Sequence, residues 1–229
     1  MKKSIVLLSG GLDSVINFKK AFDETDLAFI LTFDYGQAAK NNEIEAAKLI
    51  SQKFNIKLEL VKLDFLDKLN ETLKNNILNF NTLKFDDREY LLQTARSVWI
   101  PNRNALFINI AASFAEKYKI DYIVTGFNKE EGKSFPDNTK KFLAQVNKCL
   151  KISTMFHPEV KSYTINMTKK EIVRFGININ APFEYIWSCY RGGSKMCGKC
   201  ESCQRLKRAL KMNNFYDEFC KVNIWGFEE

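Results

Sequence analysis

The chain has a single histidine, His157, among 229 residues. An enzyme built from it does not rely on a histidine triad, and His157, which precedes Pro158, reads as a surface-loop residue. No uncharged apolar run reaches 18 residues, which argues against a transmembrane helix. The apolar stretch behind Met1-Lys2-Lys3 is too short for a signal peptide. A cytoplasmic location and no membrane partner are therefore expected. There is no long basic block, although the net charge is +8. Lysines spread over solvated faces account for that charge. A nucleic-acid surface is the alternative, and a positive field also suits an anionic small molecule. Internal repeats and low-complexity linkers are absent as well.

What is present is enough apolar material for a full core: 45% of residues are hydrophobic and 13% aromatic. The length suits one large domain, or one domain with a small appendage. Ile5-Val6-Leu7-Leu8 reads as a buried strand, Ser9-Gly10-Gly11-Leu12-Asp13-Ser14 as a turn, and Val15 to Phe22 as a helix. Strand, glycine turn and helix aim backbone N–H groups and a helix N-terminus at an anion. Gly10 and Gly11 can take positive φ and leave room for a phosphate. Ser9 and Ser14 add hydroxyl donors. Asp13 would be repelled by a bare phosphate, so it orients the loop or helps hold Mg²⁺. The spacing is not that of a Walker P-loop.

Further along, Leu27 to Phe33 and Lys57 to Leu63 read as strands, with a helix over 42–54 between them. The β-α-β-α-β order predicts a parallel sheet with right-handed crossovers. Residues 65–98 break the rhythm and read as a helical insertion with a mobile segment. A helix follows Asn104, with Phe107, Ile110, Phe114 and Tyr118 expected on its buried face. Tyr122 to Thr125 reads as a strand, 140–150 as a helix and Val160 to Met167 as a strand. Thr168 and Glu171 have capping-box spacing for a helix over 168–175. A last helix is expected at about 201–212. The expected architecture is α/β, a doubly wound parallel sheet of about five strands with a ligand at its carboxyl edge. Residues 1–180 would form the α/β domain and 181–229 a C-terminal region packed on it.

Four of the six cysteines, Cys189, Cys197, Cys200 and Cys203, read C-x7-C-x2-C-x2-C. Four thiolates complete a tetrahedral Zn²⁺, which marks a structural site. Lys195, Lys199 and Arg205 lie near enough in sequence to offset thiolate charge. An iron–sulfur cluster is the alternative, but the ferredoxin spacing and trailing Pro are missing. Cys149 and Cys220 stand alone and are expected as buried small residues.

Together these motifs resemble the 7-cyano-7-deazaguanine synthase family of queuosine biosynthesis, within the ATP pyrophosphatase (PP-loop) superfamily, over nearly the whole chain. Beside the loop at Ser9–Ser14, the matching elements are Phe33-Asp34-Tyr35-Gly36-Gln37, Ile100-Pro101-Asn102-Arg103-Asn104, Gly126 with Phe135-Pro136-Asp137, and Thr168-Lys169-Lys170-Glu171-Ile172. Trp187-Ser188-Cys189-Tyr190 and Cys197-Gly198-Lys199-Cys200-Glu201-Ser202-Cys203 match most specifically. Departures from the family pattern fall at Ala38, Asn102, Asn138-Thr139 and Tyr185-Ile186.

The resemblance implies an adenine nucleotide alpha hydrolase-like fold and an ATP-dependent C–N ligase. It would adenylate 7-carboxy-7-deazaguanine and convert it with ammonia, through the amide, to the nitrile. Candidate catalytic residues are Asp13, Asp137 and Lys169, the last as a second cation on the phosphates. ATP would meet Ser9, Gly10, Gly11, Leu12, Asp13, Ser14, Phe33 and Gly126. The deazaguanine would meet Tyr35, Gln37, Arg103, Asn104 and Asp137. Cofactors would be structural Zn²⁺, and Mg²⁺ with ATP; a homodimer is expected. Trp187 and Tyr190 would pack beside the metal. Three alternatives stand beside this reading. One is a relative that stops at the amide or joins the activated base to a protein amine, as in antiviral conjugation. The others are a tRNA-modifying ATP pyrophosphatase and a non-enzymatic zinc-ribbon module.

Overall fold

The computed structural model describes residues 1–68 and 88–228. Its elements are β1 (Lys3–Leu7), α1 (Leu12–Glu24), β2 (Asp26–Asp34), α2 (Lys40–Phe54), β3 (Leu58–Lys62), α3 (Arg88–Arg96) and α4 (Arg103–Tyr118). They continue with β4 (Tyr122–Val124), α5 (Lys140–Ser153), β5 (Glu159–Lys161), α6 (Lys169–Asn178), α7 (Glu201–Lys211) and α8 (Tyr216–Val222). The five strands form one sheet in the order β3-β2-β1-β4-β5. All four pairings are parallel. This is the doubly wound arrangement expected from the β-α-β rhythm.

Period-two alternation divides the core between the two faces of the sheet. Val6, Ile30 and Val124 point to a layer with α1, α2, α6 and the C-terminal region. Their neighbours Ile5, Leu31 and Ile123 point to a layer with α4 and α5. The strand order reverses between β1 and β4, so the carboxyl ends of these two strands open a crevice at the switch point. The Ser9–Ser14 loop lies there.

Several local expectations needed correction. The buried face of α4 is Ile108, Ala111, Ala112 and Ala115. Phe107, Ile110 and Phe114 are only partly buried, and Tyr118 is 45% exposed. Both stripes have helical spacing; the alanine stripe wins because small side chains let the helix lie close on the sheet. The strand expected over 160–167 is only Glu159–Lys161. Beyond it, the Ser162 and Thr164 hydroxyls donate to Phe127 O at 2.9 and 2.7 Å, and Tyr163 N donates to Asn17 Oδ1 at 2.7 Å. Those bonds replace a sheet ladder. Cys149 and Cys220 are exposed rather than buried. Of the expected insertion, 69–87 lies outside the described residues, and α3 follows it. The Thr168–Glu171 capping box is present in both directions. His157 is exposed, as expected.

Candidate active site and four-cysteine centre

The loop Ser9–Ser14 carries β1 into α1. Gly11 is the N-cap of α1 and supplies no side-chain cap, so the helix terminus faces the cleft with its N–H dipoles. Ser14 Oγ donates to Gly11 O at 2.9 Å and lies 3.1 Å from Ser9 Oγ, which closes the turn. The two glycines differ in role. Gly10 has φ +75, and a Cβ there would stand 2.6 Å from Ala46 Cβ on α2. Its bareness lets α2 approach. A Cβ on Gly11 would meet only Ser9 Oγ at 3.5 Å and Trp187 O at 4.0 Å. Gly126 ends the β4 segment against the same turn; its Cβ would lie 2.8 Å from Ser14 N. Gly11→Ala should therefore fold with an almost unchanged melting temperature. If the loop takes the expected phosphate, AMP formation should fall by about 3 kcal/mol in transition-state stabilisation, because the methyl would stand where the phosphate approaches. Wild-type pyrophosphate release by this variant would refute a phosphate role for the loop.

A cleft of about 300 Å³ opens over this loop. Ser9, Gly11, Leu12, Asp13, Ser14 and Phe33 line it, with Tyr35, Gln37, Arg103, Asn104, Gly126, Asp137 and Lys169. All the residues expected to meet ATP or the base are thus in one cavity wall except Gly10, which packs behind it. Phe33 stacks on Phe107 with centroids 4.0 Å apart and planes at 6°, and Trp99 stacks on Phe135 at 5.7 Å. These rings make an apolar slot suited to a planar heterocycle.

Polar groups sit around the slot. Arg103 Nη1 donates to Tyr35 Oη at 3.2 Å. Burial pushes the Tyr35 phenol up to about 12, so it stays neutral, while Arg103 stays charged. Asp137 is 6% exposed; its Oδ2 accepts from Asn104 N at 3.3 Å, and its Oδ1 is buried without a hydrogen-bond partner. Burial raises its pKa. A buried carboxylate oxygen without a partner is costly, and a donor on a ligand would relieve that cost. Gln37 lines the cleft, but its amide is used within the protein: Nε2 donates to Phe33 O at 3.0 Å and Glu43 Oε2 at 2.9 Å. It shapes the wall. Asn102, one of the departures noted in the sequence, adopts φ +60, a left-handed conformation that Asn tolerates.

Lys169 opens α6 and is 6% exposed. Its Nζ donates to Asp13 Oδ2 and, at 2.7 Å, to Glu131 Oε1. Burial opposes its charge, but the two carboxylates outweigh burial and raise its pKa. Asp13 is pushed up to about 6, mainly by burial, with Glu131 adding to the rise and Lys169 opposing it. Asp13 Oδ1 is buried without a hydrogen-bond partner. Glu131 was not expected from the sequence, and neither were its supports. Asn128 Oδ1 accepts from the N–H groups of Glu130 and Glu131 at 3.0 and 2.9 Å. The available signal was two adjacent acids just past the β4 end, at the carboxyl edge of the sheet.

The four expected cysteines do converge. All are buried, and their sulfurs lie within 4.8 Å of one another. Cys200 is the N-cap of α7 and Cys203 lies in its first turn. The positive end of the helix favours thiolate there. N–H groups of Arg191 and Cys200 donate to the sulfurs of Cys189 and Cys197, both at 3.3 Å. This buried group could hold a metal. The Arg205 guanidinium is directed elsewhere, to Glu201 and Glu130. Trp187 is buried in the same core layer, as expected. The region also reaches the phosphate loop: Trp187 N donates to Gly10 O at 2.9 Å, and Leu12 N to Ser188 Oγ at 3.4 Å.

Known proteins are similar to this chain along nearly its whole length. The family model for "Queuosine biosynthesis protein QueC" matches residues 3–214. The 7-cyano-7-deazaguanine synthase of Carboxydothermus hydrogenoformans is 46% identical over 211 residues, covering 91% of this chain and 98% of that protein. Those of Pelotomaculum thermopropionicum and Methanosarcina barkeri are 43% and 41% identical, covering 91% of this chain in each case and 96% and 94% of those proteins. A phosphate-type loop, an aromatic slot with a waiting carboxylate and a four-cysteine centre thus coincide with identity along nearly the full length, and the chain belongs to the QueC family of queuosine biosynthesis proteins.

Proposed function

We propose that this protein is an ATP-dependent ligase that converts 7-carboxy-7-deazaguanine and ammonia, through the amide, to 7-cyano-7-deazaguanine. The unpartnered Asp137 Oδ1, in an aromatic slot continuous with the phosphate loop, carries the reading. A guanine-like edge offers N–H donors to that oxygen, and Arg103 offers its guanidinium to the substrate carboxylate.

The chemistry runs in two activations. The carboxylate oxygen attacks the α-phosphorus of ATP, and pyrophosphate leaves. Ammonia then displaces AMP, which carries the carboxylate oxygen away, and a proton is lost to give the amide. The amide oxygen attacks the α-phosphorus of a second ATP, and pyrophosphate leaves. The amide C–O bond breaks with AMP leaving, and the nitrogen loses its two protons to give the nitrile. The α1 terminus and Lys169 would stabilise charge on the phosphates, while the slot orients the carboxylate in line.

Mg²⁺ fits beside the loop. Asp13 and Glu131 carry two negative charges against the one of Lys169, and Asp13 Oδ1 is free of a hydrogen-bond partner. When bound, Mg²⁺ would neutralise phosphate charge. Zn²⁺ fits the cysteines, because sulfurs within 4.8 Å of one another can surround one ion. A cluster that places each cysteine on a different iron needs them spread wider. The reading carries a cytoplasmic location; no helix among the described residues is long and apolar enough to cross a membrane. It also carries a homodimer, which sedimentation would test.

The relatives are named for a nitrile product, so the amide-stopping, protein-conjugating and tRNA-modifying alternatives draw no support from them. Mass spectrometry after incubation with ATP and 7-carboxy-7-deazaguanine, with and without ammonia, should find nitrile only with ammonia. Asp137→Ala and Arg103→Ala should each lower substrate-dependent AMP formation by about 2–5 kcal/mol, because the partner group is left buried and unpaired. Unchanged AMP formation in both variants would remove the pocket assignment. Amide as the sole product after long incubation with excess ATP would remove the nitrile synthase reading.

A further inference from the structure

A second set of buried charges lies directly behind the active-site ions and starts in the cysteine region. Arg205 sits on α7, two residues past Cys203, and is 6% exposed. Its Nε and Nη2 donate to Glu201 Oε1 at 2.9 and 2.7 Å, and its Nη1 donates to Glu130 Oε2 at 3.2 Å. Arg208, one turn on, donates to the same Glu130 oxygen at 2.6 Å. The other oxygen of Glu130 accepts from the backbone N–H of Lys169 at 2.8 Å. Glu130 is therefore a joint. One oxygen holds the first turn of α6, which carries Lys169. The other holds α7, whose N-terminus is made by the cysteines. The next residue, Glu131, pairs with Lys169 Nζ.

We infer that Arg205 is a positioning residue for the ATP site, acting through Glu130 to hold Lys169 and Glu131 in register with Asp13. The four-cysteine centre thereby sets active-site geometry in addition to stabilising its own region. Glu130 brings a negative charge to a buried place beside two other carboxylates. Without the Arg205 guanidinium, only the more exposed Arg208 would still answer Glu130, and the three acids would draw harder on Lys169. Relief would come by rotating the 128–131 turn toward solvent and pulling Glu131 away. A shift of about 1 Å in a group that must meet the phosphates can cost about a hundredfold in rate. Glu201 keeps the guanidinium aimed, since the Nε and Nη2 N–H groups converge on one Glu201 oxygen.

The inference rests on the ATP site proposed above. The test compares full-length wild type with Arg205→Met, Glu130→Gln and the double variant. AMP formation is measured against ATP concentration, together with metal per chain and melting temperature. Arg205→Met is expected to lose about tenfold or more in kcat with its metal retained. Glu130→Gln removes the charge that Arg205 answers, so the double variant should be no worse than the weaker single one, within about twofold. A purely structural role would instead lower metal content and melting temperature in both Arg205 variants and leave the kcat of the folded fraction unchanged. That outcome overturns the inference, and so do multiplicative losses in the double variant. If Arg205→Met does not fold, Glu130→Gln decides alone: full kcat sinks the idea, and reduced kcat with metal retained supports it. Lys169→Met serves as the control for the underlying site. Loss of activity there with full activity in Arg205→Met and Glu130→Gln defeats only the positioning role. Full activity in Lys169→Met defeats the ATP-site reading itself.

Discussion

Replacing Lys169 with methionine is expected to lower ATP-dependent AMP formation by about 100-fold or more. The side chain is buried, and its ammonium lies between Asp13 and Glu131. It borders the same cleft as the loop, and in the proposed ATP site pyrophosphate departure would put negative charge beside it. Removing one preorganised donor to developing charge costs about 3 kcal/mol, which is about two orders of magnitude in rate. The same change leaves two buried carboxylates without their shared partner. Breaking one side of a buried ion pair costs about 3–5 kcal/mol of stability, unless a carboxyl takes up a proton. Asp13, already pushed up to about 6 by burial, is the group that would protonate. The variant should therefore be less stable at neutral pH and recover part of that loss in mild acid, where the protonated carboxyl no longer needs the ammonium. Kinetics and melting curves at several pH values check both parts. A wild-type rate would remove Lys169 from the phosphate site, and a melting temperature indifferent to the substitution would remove the buried-pair argument.

Cys200→Ser is expected to lose metal and to melt about 6–20 °C below the parent. Cys200 is fully buried and stands at the N-cap of α7 without a side-chain cap bond, so the substitution acts through the metal and not through the cap. A structural zinc site contributes folding free energy directly. Even about 3–5 kcal/mol of lost stability shifts Tm by roughly 2–4 °C per kcal/mol in a chain of this size. The damage should also reach the proposed ATP site, because Trp187 and Ser188 hold the Ser9–Ser14 loop backbone from the cysteine side. Elemental analysis, soluble yield and a thermal melt measure the effect. Parent-like melting in metal-free variant protein would show that the centre has no folding role.

Sequence reading located the two most local devices with little error. The Ser9–Ser14 loop and the four cysteines are contiguous or nearly so, and their chemistry follows from short-range spacing. The expected strands at 3–8, 27–33 and 57–63 match the first half of the sheet within a residue or two. Reading failed where two apolar stripes competed. On α4, an aromatic stripe and an alanine stripe both have helical period, and only the distance to the sheet chooses between them. It also failed at 162–167, where hydroxyls of Ser162 and Thr164 satisfy a loop carbonyl instead of extending the strand. Gly10 and Gly11 look equivalent in sequence, but only the position of Ala46 shows that one faces a helix and the other the cleft.

The sequence by itself determined the parallel α/β framework, the glycine turn ahead of α1 and the cysteine centre. Each is specified by residues close together in the chain, through strand alternation, helix capping and ligand spacing. Only the tertiary structure decided which charges meet. Lys169 is 156 residues from Asp13 and 38 from Glu131, yet its one ammonium bridges both. Arg205 is 75 residues from Glu130, and no periodicity links them. Buried ions find partners across elements because an unpaired charge in the interior is costly wherever its partner lies in sequence. That pairing is a property of the packed fold and cannot be read from spacing.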